Sequence, residues 1–173
     1  MQTTHFPFLC WLRMKVFAVA LFTGLVALAA GYGGGAPEGA CGDMVPQHHT
    51  PPQTSASPFA IDINRNTVKP KGKVYVTLSA KEGDSFKGFF IQARVGDTAV
   101  GKFDPADGVK LVNCGNGVAT GATHENSQAK TKVTVAWEAP PELSENVIFT
   151  VTTARDGGTF WVAQKAAPLK VQA

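Results

Sequence analysis

The chain has 173 residues, with 16 Lys and Arg against 13 Asp and Glu. That length suits one domain with its own core rather than two. No cluster of basic residues supplies the electrostatic footprint that nucleic-acid binding requires, so that class is set aside.

Residues 1–31 read as a leader. Arg13 and Lys15 precede the charge-free, mostly apolar run Val16 to Ala30, and small residues follow it. The run is shorter than the roughly 20 residues of a membrane span, so a cleaved secretory signal is expected and a membrane span is not. "MKVFAVALF" from Met14 is already a complete signal start, and Cys10 lies upstream of it. Loss of Arg13 and Lys15 with the leader leaves 14 basic against 13 acidic residues, close to neutrality. Two cysteines then stay in residues 32–173, Cys41 and Cys114. In an oxidising secreted setting an even pair is expected to be bridged.

Gly33 to Pro58 is dense in Gly, Pro, Ser and Thr and shows neither helical nor strand period. It is expected to lie extended over the surface, pinned by Cys41. From Phe59 onward the pattern turns to period two. "KVYVTLSA" places Val74, Val76 and Leu78 on one face and Tyr75, Thr77 and Ser79 on the other. "TKVTVAW" directs Val133, Val135 and Trp137 inward, and "NVIFTVTTA" does the same with Val147, Phe149 and Val151. Turn pairs such as Gly83-Asp84, Gly96-Asp97 and Asp107-Gly108 separate these runs, and no helical stripe lasts three turns. The predicted class is all-β: seven to nine short strands in an antiparallel β-sandwich, led by an irregular Pro/Gly-rich segment.

The strand "FKGFFIQAR" at 86–94 raises a particular question. Alternation sends Phe89, Ile91 and Ala93 to the core and Phe90, Gln92 and Arg94 to the other face. An outward aromatic is either covered or left free to bind. The Pro-rich segment crossing the sheet is the first candidate cover; a ligand is the second. Gly88 suits a bulge or a close backbone approach at the strand's entrance.

Five blocks in order, "ACGDMVPQHH" at 40–49, "FKGFFIQAR" at 86–94, "GKFDPADGVKLVNC" at 101–114, "ATHENSQAKTKVTVAWEAP" at 122–140 and "VIFTVTTARDGGTFWV" at 147–162, resemble the reeler (reelin-type) domain. As a secreted single domain the chain is similar to the insect defence proteins of that family. The resemblance implies an immunoglobulin-like sandwich over 32–173, a bridge from the N-terminal segment to Cys114, and a role in innate immunity. Longer relatives place the domain ahead of adhesion or redox modules; these 173 residues hold none, and a redox role is not expected. The second bridge of several matrix relatives is also absent.

Only His48, His49 and His124 remain as imidazoles after the leader, in no catalytic motif, and no carboxylate pair has neighbours that separate its pKa values. No enzymatic activity and no cofactor are expected. The three histidines are weak candidates for a transition-metal site, and hydrogen bonding to local backbone is the competing role for them. Recognition of a microbial surface calls for aromatic faces on sugars or acyl chains and cations on phosphates. Phe90, Gln92, Arg94 and Lys87 are the candidate ligand-binding residues, with Lys81 and Lys102 on or beside nearby turns. Trp137 and Trp161 are expected in the core, and of the adjacent Phe160 and Trp161 one must face outward. Thr50 and Ser57, each before proline, are candidate O-glycosylation positions.

The function expected from these readings is a secreted, non-catalytic factor that binds microbial glycolipids or polysaccharides such as lipopolysaccharide. Aggregation of bacteria, or their attachment to haemocyte surfaces, follows from that. The alternative is an extracellular matrix or cell-adhesion module contacting a host protein.

Overall fold

The computed structural model describes residues 32–172; the expected leader lies outside the described residues. Twelve strands are present among them: β1 (Phe59–Ile63), β2 (Thr67–Val68), β3 (Lys73–Ala80), β4 (Gly88–Val95), β5 (Thr98–Ala99), β6 (Lys102–Phe103), β7 (Val109–Val112), β8 (Gly121–His124), β9 (Lys132–Glu138), β10 (Ile148–Asp156), β11 (Thr159–Lys165) and β12 (Lys170–Val171). One sheet runs β1-β3-β9-β6. The other runs β11-β10-β4-β8-β7, with β5 folded back on β4. All pairing within these two sheets is antiparallel, and β12 pairs β2 in parallel as a separate ribbon.

The core lies between the sheets, where the alternating residues converge. Val74, Val76 and Leu78 of β3 face Phe89, Ile91 and Ala93 of β4, joined by Val135, Trp137, Phe149 and Val151. These apolar side chains leave water together, and that burial is the main favourable term in folding. Trp137 meets Phe149 edge to face at 5.4 Å, and its indole N–H donates to the Val100 carbonyl at 2.9 Å. The polar handle of a fully buried aromatic is thereby satisfied. Tyr75, on the opposite parity of β3, stays exposed.

A third layer lies on the outer face of the larger sheet. Residues 32–58 form a strap whose regular structure is one short 3-10 turn, Glu38–Ala40. Under it sits a second apolar cluster of Met44, Phe90, Val112 and Cys114, with Ala36, Ala40, Cys41 and Ala99 packed against it. The Cys41–Cys114 disulfide fastens the strap there, its Cα atoms 5.5 Å apart across 73 positions of sequence. The strap also runs beside β11, where Gln53 N–H donates to the Phe160 carbonyl at 2.8 Å. Trp161 donates its indole N–H to the Ser55 carbonyl at 3.0 Å. Trp161 joins the main core, and Phe160 takes the outward position that one of the pair must. The outward ring, Phe160, is fully buried and meets His48 of the strap at 5.7 Å.

Candidate functional site

Three of the candidate ligand residues, Phe90, Gln92 and Arg94, converge on the disulfide. Phe90 is 3% exposed and Gln92 is fully buried. Gln92 donates through Nε2 to the Cys41 carbonyl at 3.1 Å. Arg94 donates from Nε to the Gln92 side-chain oxygen at 2.6 Å, and from its terminal nitrogen to the carbonyls of Cys41 at 2.6 Å and Gly42 at 2.9 Å. Carbonyls leaving a helical turn lack intrahelical partners, and a forked cation is well shaped to collect them. Burial works against the Arg94 charge, opposed by Asp97 and Asp43, but a guanidinium stays cationic in proteins.

These placements correct the candidate recognition surface. Phe90, Gln92 and Arg94 face away from the core as alternation requires, yet the strap covers them and engages their polar atoms. They hold the protein's own N-terminal segment, and of the four proposed ligand residues only Lys87 stays exposed.

The histidines separate. His124, at the end of β8, accepts the Phe89 N–H at Nδ1 (3.2 Å) and donates from Nε2 to the Tyr32 carbonyl at 3.1 Å. Burial favours the neutral ring and holds its pKa below the usual imidazole value. Gly88 is the neighbour that makes room: a Cβ built there would lie 3.1 Å from the ring. The sequence expectation of a close approach at Gly88 is met by this imidazole. His48 lies over Phe160, and His49 is exposed with φ of 57°. Among the described residues no group of three or more His, Cys, Asp or Glu is arranged to hold a metal ion.

Strap and sheet do not meet completely. Between them runs a crevice whose inner chamber, about 50 Å³, is lined by residues that include Ala36, Ala40, Met44, Phe90 and Ala154. Next to it lies a wider vestibule of about 310 Å³ bordered by Tyr32, His48, Lys87, His124, Ser127 and Asp156. Small side chains at Gly88 and Ala154 create the gap on the sheet side. Met44, Thr152 and Ala154 were not singled out from sequence. The available signal was Met44 itself, a lone large apolar residue three positions after Cys41 in a polar segment.

A profile of the reeler domain matches residues 39–173. The chain belongs to the reeler family. Among its relatives, "Putative defense protein 3" of Antheraea mylitta is 39% identical over 160 residues, covering 91% of this chain and 97% of that protein. "Putative defense protein" of Bombyx mori is 37% identical over 143 residues, covering 79% and 84%. The reeler chain also matches "Putative ferric-chelate reductase 1 homolog" of Drosophila melanogaster, 34% identical over 92% of this chain but only 27% of that longer protein. The human F-spondin reeler domain superposes with a TM-score of 0.58 at 20% identity, over 71% of this chain and 94% of that one. That likeness establishes the shared reeler sandwich.

Proposed function

We propose that this reeler protein is a secreted, non-catalytic factor of innate defence that binds microbial envelope components, lipopolysaccharide among them, and promotes aggregation of bacteria or their attachment to haemocytes. The observation that carries the reading is its 35–39% identity to insect defence proteins over most of both chains. The Cys41–Cys114 bridge supports an oxidising, extracellular setting. A binding role also accords with histidines and carboxylates scattered over turns and strand ends rather than gathered around a nucleophile. Lys81 and Lys87 remain exposed as cations for envelope phosphates.

The test is cosedimentation of the purified chain with washed bacteria and with vesicles containing lipopolysaccharide, alongside host haemocytes. Saturable binding to bacteria and to the glycolipid vesicles, competed by soluble lipopolysaccharide, is the expected result. Binding to haemocytes or matrix alone would replace this reading with that of an adhesion module.

A further inference from the structure

The crevice joins two compartments of opposite chemistry. Two polar side chains of the inner chamber are already engaged: the Thr152 hydroxyl donates to the Met44 carbonyl at 2.8 Å, and both His124 nitrogens are occupied by backbone groups. A buried water needs two to four polar partners, and apolar voids that lack them stay dry. An empty space of this kind costs its lining the dispersion contacts that a slim apolar group restores. A space of about 50 Å³ exceeds the ~10–15 Å³ that the centre of one water molecule needs, so it takes a slim group and not a bulky one. That favours the end of an unbranched chain over a ring.

The vestibule shares Tyr32, Gly88, His124 and Ala154 with the chamber, so the two adjoin. At its rim Asp156 already accepts the Gly158 N–H at 2.8 Å. Lys87 enters none of the three ion pairs found among the described residues. An ammonium without a carboxylate partner thus stands beside a crevice lined mainly by apolar atoms.

We infer that the crevice under the strap binds a single-chain anionic amphiphile, an unbranched alkyl carboxylate. Its methyl end enters the chamber against Met44, Phe90 and Ala154, and its carboxylate pairs with Lys87. The inference concerns a monomeric small molecule and holds or fails independently of the microbial reading.

The experiment titrates straight-chain carboxylates from butanoate to decanoate, below their micellar concentrations, into the purified chain by calorimetry. One-to-one binding is expected, tightening about fourfold per methylene until the chamber is filled and levelling off thereafter. Ala154→Leu fills the chamber from the sheet side and weakens decanoate binding at least tenfold; Ala36→Leu does so from the strap side should the first variant melt early. Lys87→Gln weakens carboxylates but leaves alcohols of equal length unchanged. Absence of saturable binding to the unmodified chain at every length overturns the site, as does undiminished binding by a folded chamber-filling variant. Equal losses for alcohol and carboxylate in Lys87→Gln overturn the placement of the head group.

Discussion

Arg94 occupies a strand position that alternation assigns to solvent, yet its guanidinium is closed over the Cys41 and Gly42 carbonyls. Hydrogen bonds to a charged group contribute about 1.5–3 kcal/mol. Arg94→Ala is therefore expected to lower stability by about 2–3 kcal/mol in denaturant unfolding, with Arg94→Lys recovering less than half because an ammonium lacks the fork. An unchanged midpoint in Arg94→Ala would show that the strap does not depend on it. His124 gives a pH dependence. Its folded pKa lies below the unfolded value of 6.5, so the unfolded state takes up the proton first as pH falls. The stability from the neutral ring is fully present above pH 6.5 and is lost as pH drops through that value toward the folded pKa. Melting temperature should decline over this window, and the decline should flatten in His124→Gln, whose amide keeps a donor for Tyr32. At this scale the direction of each strand residue was legible, because period two depends only on neighbours. Whether an outward residue meets water was not, since at Phe90, Arg94 and Phe160 the answer depends on a segment distant in sequence.

The strap shows most clearly where local pattern stops being informative. Its proline-rich composition excluded helix and strand, and Cys41 marked where it would be held. Its path over β4, β10 and β11 is set by side-chain hydrogen bonds and by an apolar cluster with no period. The long strands β3, β4, β9 and β10 were readable from alternation. The two-residue strands β2, β5, β6 and β12 were not, because so short a pairing leaves no periodic trace. Replacing both Cys41 and Cys114 by serine releases a 73-residue constraint and is expected to cost about 4–5 kcal/mol. Hydrogen exchange should then rise first in strap amides such as Met44, ahead of the β3–β9 pairing. Because the bridge and Arg94 hold the same residue, combining their removals should depart from additivity; strict additivity would indicate two separate attachments.

For the molecule as a whole, two pleated layers enclose the main core and an external strap encloses a second one. The sandwich was legible because turn pairs and alternation agreed along the chain, while family membership rested on ordered blocks rather than on any single motif. The crevice left no signature in sequence, being a gap between surfaces rather than a set of residue types. The fastening at Cys41 bears on how the protein meets proteases. Residues 49–56 are exposed and lie outside helix and strand, the kind of segment that proteases cut first. A nick there leaves both pieces joined by sulfur, so the damaged molecule should migrate as one species on a non-reducing gel and shed a short peptide only when a thiol is added.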